Sequence, residues 1–358
     1  MNLIVPMAGK SSRFPEMRPK WMLTHPNGRF MGIQAILGLN CEDFKSIVYI
    51  ILKEHEEKFS FMNGFKDELK DLGLLDKTKF IILDKPTKDQ PETVEMGIKL
   101  AKLEGPFTIK DSDNFFETTI SPGNFVAFQD LNNSGLIKPV NKSYIQIDNN
   151  FKISNIIEKN VISSFFCVGS YSFESTESFL NVLDDMPKNK ERYISNIIFQ
   201  MILKGKIFSP LKVDNYHDWG TIEDWNRYKK TYGTLFVDID GTLVINSSAH
   251  FPPYIGNTEP IMENVEILRN LYNSKKFKII LTTSRPEKYR EATINQMNEI
   301  KMPFNSLIMD LNHSKRIVIN DYSKTNPYKS CDSINLKRNS SDLKDILRDS
   351  IGIDFEQI

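Results

Sequence analysis

The sequence predicts an α/β protein of two domains, on three observations. The chain has 358 residues, more than one hydrophobic core usually serves. Short β-branched apolar runs alternate with longer amphipathic stretches, which is the strand and helix pattern of a layered α/β sheet. The alternation also restarts, beginning again at Leu235 after a polar stretch over residues 226–233.

Taken in order, residues 2–6, 46–52, 80–83 and 107–110 read as strands, with residues 92–103 a helix between the last two. From about Ser134 the pattern changes to strands joined by short polar turns, over residues 145–147, 153–158 and 165–173. That predicts an antiparallel extension of the first sheet. A helix at about 195–203, a further strand and the segment Tyr216-His217-Asp218-Trp219-Gly220-Thr221 complete a first domain placed at residues 1–228. The second domain, residues 234–358, opens on the strand Leu235-Phe236-Val237-Asp238. It continues with a loop over 244–258, a helix at about 260–274, a strand over 278–283 and a last strand over 317–321.

Charge bounds the partners. With 46 basic and 46 acidic side chains the chain has no net field to attract nucleic acid or an anionic membrane, so any anion site must be local. No apolar run reaches the roughly 18 residues that span a bilayer, and no basic or apolar leader precedes the first strand. The expectation is a cytoplasmic protein without membrane or nucleic-acid partners; a homo-oligomer is compatible with it. Cys41, Cys167 and Cys331 are widely spaced and the five histidines form no ligand pair, so neither a disulfide framework nor zinc is indicated.

Two segments carry phosphate chemistry. The first strand runs into Ala8-Gly9-Lys10-Ser11-Ser12-Arg13-Phe14, followed by Pro19-Lys20. A glycine that permits close backbone approach, small hydroxyl residues and two cations can cradle a polyphosphate. Further along stand Ile109-Lys110-Asp111-Ser112-Asp113, Ile157-Glu158-Lys159, Val168-Gly169-Ser170-Tyr171 and Asp218-Trp219-Gly220-Thr221. Together, over about residues 1–228, these segments resemble the signature of sugar-phosphate nucleotidyltransferases. The resemblance implies a Rossmann-like mixed-sheet nucleotidyltransferase domain. In it Ala8, Gly9, Ser11 and Ser12 would line the triphosphate, Arg13 would hold the β- and γ-phosphates, and Lys20 would stabilise charge on the transferred phosphorus. Asp113 and Asp218 would hold Mg²⁺, and Glu158, Lys159 and Gly169 would meet the acceptor phosphate. Two departures stand out: Ser11 where a second glycine is common, and Gln90-Pro91-Glu92-Thr93 where a Gly-Thr-Ala type run reads the base. By position Gln90 or Thr93 would contact the base, whose identity stays open.

The second segment is Leu235-Phe236-Val237-Asp238-Ile239-Asp240-Gly241-Thr242. Residues two apart on a strand face the same way, so both aspartates emerge at the carboxyl end, where parallel sheets bind ligands. With Thr283-Ser284-Arg285-Pro286, Lys315 and Ile317-Val318-Ile319-Asn320-Asp321 following in order, residues 234–345 resemble the haloacid dehalogenase superfamily of phosphatases. The resemblance implies a capless haloacid dehalogenase-type α/β domain, since no room remains for a large cap. Asp238 would be the nucleophile, Asp240 the acid/base, and Thr283 and Lys315 the phosphoryl ligands, with Lys324 a rival for the last role. Mg²⁺ would be held around Asp238, Asp240 and Asp321, with Asn320 able to fill in.

The two resemblances imply a bifunctional enzyme. It would join a nucleoside triphosphate to a sugar or polyol phosphate and hydrolyse a phosphate monoester on the same pathway, by analogy one supplying capsule or other surface polysaccharide. The alternatives are a nucleotide-sugar-binding regulatory or scaffold protein with degenerate sites, and a transferase whose second domain is a nucleotide phosphatase.

Overall fold

The computed structural model describes residues 1–9, 18–133, 139–187, 191–321, 330–353 and 355. The chain divides into two units, Met1–Trp225 and Asn226–Ile358.

The first unit is built on four parallel strands in the order β3-β2-β1-β4: β1 (Asn2–Pro6), β2 (Ser46–Leu52), β3 (Thr78–Leu83) and β4 (Phe107–Lys110). All seven residues of β2 are buried, as a strand covered on both faces requires. Alternation along β1 sends Ile4 to one apolar layer and Leu3 and Val5 to the other, so one sheet divides two cores. The helix Gln90–Ala101 covers the first face. Asp89 caps it by accepting from the Glu92 N–H at 2.9 Å, and Pro91 sits in its first turn, where a missing N–H costs nothing. Its Gly97 packs close to the sheet: a Cβ there would lie 2.3 Å from Ile50 Cδ1.

Beyond β4 the sheet turns antiparallel. After β5 (Asn114–Glu117) come β6 (Phe125–Asp130), β7 (Ser143–Ile147), β8 (Ile153–Glu158) and β9 (Phe165–Phe173). The long strand β9 runs antiparallel to β4, β6 and β7, β8 completes a hairpin with β7, and β10 (Ser209–Lys212) adds in parallel to β6. β11 (Asp214–Asp218) instead forms a separate antiparallel ladder with β5.

The second unit has a three-stranded parallel sheet in the order β12-β13-β14: β12 (Gly233–Asp238), β13 (Phe277–Thr282) and β14 (Ser306–Ile308). The helices Met262–Asn273 and Arg290–Glu299 pack on it, burying Val237, Ile239, Val265, Leu268, Ile279, Leu281 and Met297. The strand expected over 317–321 is corrected here. Ile317, Val318 and Ile319 form no strand and are 76%, 60% and 92% exposed. Three β-branched residues express a propensity, but pairing needs a neighbouring edge and a buried face. The polar flanks Lys315-Arg316 and Asn320-Asp321 supply neither. Among the described residues no helix is long and apolar enough to cross a membrane.

The first-unit core is dense in rings. Phe173 lies 5.1 Å from Phe107, 4.9 Å from Phe179 and 5.8 Å from Phe208, centroid to centroid. Phe173→Ala should therefore lower unfolding free energy by about 3–5 kcal/mol in urea titration, while truncating exposed Phe151 should change it by less than about 0.5 kcal/mol.

Candidate functional site

β4 ends at Lys110, and the chain crosses Asp111-Ser112-Asp113 before entering β5. The β5–β11 ladder pairs Asn114 with Asp218, and the Trp219 N–H donates to the Asp113 carbonyl at 2.9 Å. Two aspartates distant in sequence thereby come to one place. A Cβ built on Gly220 would lie 3.0 Å from Asp218 Oδ1 and 3.9 Å from Asp113 Oδ2, so both carboxylates border the same glycine. The Gly220 N–H also donates to Asp218 Oδ1 at 3.0 Å.

Each carboxylate has a lysine on it. Lys20 follows Pro19 in a short 3-10 turn, Lys20–Met22, whose Trp21 and Met22 are buried and anchor it. Its Nζ contacts Asp113 Oδ2 and donates to the Gly220 carbonyl at 3.2 Å. Lys142, just before β7, places its Nζ 2.6 Å from Asp218 Oδ2 and 3.0 Å from the Tyr216 hydroxyl. Burial works against the Lys142 charge, but Tyr216 and Asp218 beside it hold its pKa above the usual lysine range.

Beneath this pair lies a buried layer. Lys110 Nζ is enclosed by Asn114 Oδ1 at 2.6 Å, the Asn114 carbonyl at 3.0 Å and the Asp111 carbonyl at 2.8 Å. Burial pushes the Lys110 ammonium down, and burial with the nearby Asp113 charge pushes the Asp111 carboxyl up. Gly169, at φ +73°, makes room for that carboxyl: a Cβ there would lie 2.3 Å from Asp111 Oδ2.

The remaining first-unit candidates divide. Ala8 is buried and Gly9 exposed at the end of β1, whereas Ser11, Ser12 and Arg13 lie outside the described residues. Glu158 Oε2 accepts from the Ser143 and Ser195 hydroxyls. Lys159, at φ +53°, donates to the Tyr193 hydroxyl at 2.8 Å. Gln90 and Thr93, expected by position to contact the base, both lie in the first turn of the helix Gln90–Ala101. The Gln90 amide donates to Asp111 Oδ1, and Thr93 is buried with its hydroxyl on Thr87 and the Asp89 carbonyl. The Gln90 amide ties the helix start to the loop after β4, while the Thr93 hydroxyl closes onto the residues that lead into its own helix.

In the second unit Asp238 ends β12 and Asp240 follows in a turn closed by the Gly241 N–H to the Val244 carbonyl, 2.7 Å, with Gly241 at φ +86°. Asp240 is clamped by Arg285, Nε to Oδ2 at 2.8 Å and Nη2 to Oδ1 at 2.9 Å. Arg285 is 3% exposed, and its Nη1 reaches Thr293 Oγ1 and Gln296 Oε1. Ser247 and Thr283 donate to the same carboxylate at 2.5 and 3.4 Å. Burial pushes the Asp238 carboxyl up, opposed by Arg316, whose Nη2 lies 3.1 Å from its Oδ1. Lys315, expected to hold the phosphoryl oxygens, is exposed, and its neighbour Arg316 reaches Asp238. Asp321 is exposed, its N–H on Asn320 Oδ1, and among the described residues no three His, Cys, Asp or Glu side chains gather as a metal group. Lys324 lies outside the described residues.

The sequence pattern assigns no role to Lys142, Tyr216, Arg285 or Arg316. Arg285 had a signal, since it stands inside Thr283-Ser284-Arg285-Pro286; Lys142 had none, since a lysine before a strand reads as a solvated turn.

Among solved structures, the chain is similar to a nucleoside-diphosphate-sugar pyrophosphorylase from Vibrio cholerae RC9. The TM-score is 0.54 and the identity 21%, over 63% of this chain and 98% of that one. Over that share the two chains have the same fold. An inositol-1-phosphate CTP transferase from T. maritima matches with TM-score 0.50 and 13% identity, over 62% of this chain and 90% of that one. A UDP-glucose pyrophosphorylase complexed with UDP-glucose matches with TM-score 0.50 and 17% identity, over 64% and 98%. No protein-family model and no curated protein matches the chain.

His25 links the site to stability. Its ring lies 5.5 Å from Trp219, next to Asp218, and its Nδ1 accepts from the Asn27 N–H at 3.2 Å. Burial pushes its pKa from 6.5 down to about 4. Between those values the unfolded chain takes up the proton and the folded one does not, so stability falls as pH drops from 6.5 toward 4, by up to about 1.4 kcal/mol per pH unit. Thermal melts at pH 7 and pH 5 should show a larger acid loss for wild type than for His25→Gln.

Proposed function

We propose that the first unit transfers a nucleotidyl group from a nucleoside triphosphate to a sugar or polyol phosphate. The observation that carries this is the meeting of Asp113 and Asp218 at Gly220, with Lys20 on Asp113, in a chain of nucleotidyltransferase fold. Two carboxylates bordering one glycine fit a hard divalent cation, which binds carboxylate and phosphate oxygens together. Mg²⁺ held there would neutralise charge on the α-phosphate. An acceptor phosphate oxygen attacks the α-phosphorus, the bond to the bridging oxygen of the β-phosphate breaks, and pyrophosphate leaves. Lys20 supports the charge that develops at the transferred phosphorus. Arg13, by its motif, holds the departing phosphates, and Lys159 meets the acceptor. No side-chain nucleophile is required. The product class would be an activated sugar or polyol, as used for capsule or surface polysaccharide.

For the second unit we propose phosphate monoester hydrolysis, with Asp238 attacking phosphorus while Asp240 protonates the leaving alcohol and then activates water. Arg285 and Thr283 orient Asp240, and Arg316 offers a cation to the phosphoryl oxygens. One observation favours a second reading, a unit that keeps the fold without turnover: Arg285 engages both oxygens of Asp240.

Pyrophosphate release with Mg²⁺, over the five common triphosphates against a panel of sugar and polyol phosphates, should appear for one pair. It should fall at least roughly a hundredfold in Asp113→Ala; silence over the whole panel counts against the transferase. Separately, p-nitrophenyl phosphate hydrolysis should be lost in Asp238→Asn, and its absence from wild type selects the second reading.

A further inference from the structure

Lys142 belongs to none of the segments that resemble a known family. Its backbone is fixed on both sides: its N–H donates to the Pro139 carbonyl at 3.1 Å, and its carbonyl accepts from the Lys159 N–H at 3.0 Å. From there the side chain, 19% exposed, crosses from β7 to β11 and ends 2.6 Å from Asp218 Oδ2, with the Tyr216 hydroxyl at 3.0 Å as a second partner. Lys20 meets Asp113 in the same way. Both carboxylates that border Gly220 are therefore neutralised by an ammonium from another part of the chain.

An ammonium in contact with a carboxylate oxygen occupies the lone pair that a cation would take, and two cations on one oxygen repel strongly where water is partly excluded. Lys142 and a divalent ion thus compete for Asp218. A bare ion entering the site must displace the ammonium from its carboxylate partner. An ion arriving with a polyphosphate brings oxygens that can receive it.

We propose that Lys142 is a built-in counter-ion of Asp218 that a divalent cation must displace, so that metal binds weakly alone and tightly with nucleotide. This rests on the reading of Asp113 and Asp218 as metal carboxylates. Linkage makes the coupling reciprocal, so nucleotide tightens metal by the factor by which metal tightens nucleotide.

The test is Mn²⁺ binding to the full chain without substrates, followed by the electron paramagnetic resonance signal of the free ion. Lys142→Gln should tighten Mn²⁺ roughly tenfold, the scale of losing one charge-assisted contact, and should shrink the further gain on adding a nucleoside triphosphate. Lys142→Arg, which keeps the charge, should stay near wild type. Tyr216→Phe, which removes one partner of the ammonium and leaves Lys142 in place, should shift affinity the same way by a smaller factor, and serves if Lys142→Gln does not fold. Unchanged or weaker Mn²⁺ binding in Lys142→Gln, with binding still lost in Asp113→Ala, overturns the counter-ion and leaves the metal carboxylates standing. Wild-type Mn²⁺ binding in Asp113→Ala overturns both.

Discussion

The antiparallel ladder between β5 and β11 is the constraint on which the first site depends. Asp113 leaves the end of the parallel sheet, Asp218 arrives on a strand outside it, and the pairing of Asn114 with Asp218 sets them side by side. Two carboxylates brought together repel, and a fold that holds them so must supply positive charge nearby. Lys20 and Lys142 supply it directly. Lys110, buried beneath with its ammonium on Asn114, ties the loop between the aspartates to the sheet. Gly220 matters because a side chain there would lie against both carboxylates, and Gly169 because one there would strike the buried Asp111 carboxyl.

Much of this fold was legible in the sequence, for a physical reason. The central strand β2 is buried on both faces, so it appears as a nearly unbroken apolar run, and β8 and β9 are bounded by turns that the sequence marks with polar residues. Residues 317–319 mark the limit of that logic. Ile-Val-Ile is as strand-like as any segment of the chain, but a strand is defined by the edge it pairs with. The acidic residues of the site were legible because they stand at a strand end or in the turn beside one; Lys142 was not, because its contact with Asp218 joins segments that local pattern does not connect. The bonds of Gln90 to Asp111 and of Thr93 to Thr87 and the Asp89 carbonyl are contacts that local pattern does not encode either.

The two units handle their aspartates differently. In the first, each carboxylate is held by a lysine, a single flexible point charge that can move away when a stronger cation arrives. In the second, Asp240 is held by the rigid bidentate fork of an arginine that is itself buried and fixed by Thr293 and Gln296. The first arrangement is built to exchange partners, and the second to keep an orientation. That contrast agrees with a metal entering between Asp113 and Asp218, while the fixed Asp240 fits either reading of the second unit.

The most direct measurement is an anomalous-scattering map from crystals grown with Mn²⁺ and a non-hydrolysable nucleoside triphosphate analogue. The account predicts one manganese peak bonded to both Asp113 and Asp218 and to a phosphate oxygen, with the Lys20 and Lys142 ammoniums moved onto the phosphates. Manganese bound elsewhere, or both lysines still on the carboxylates with the nucleotide in place, would contradict it.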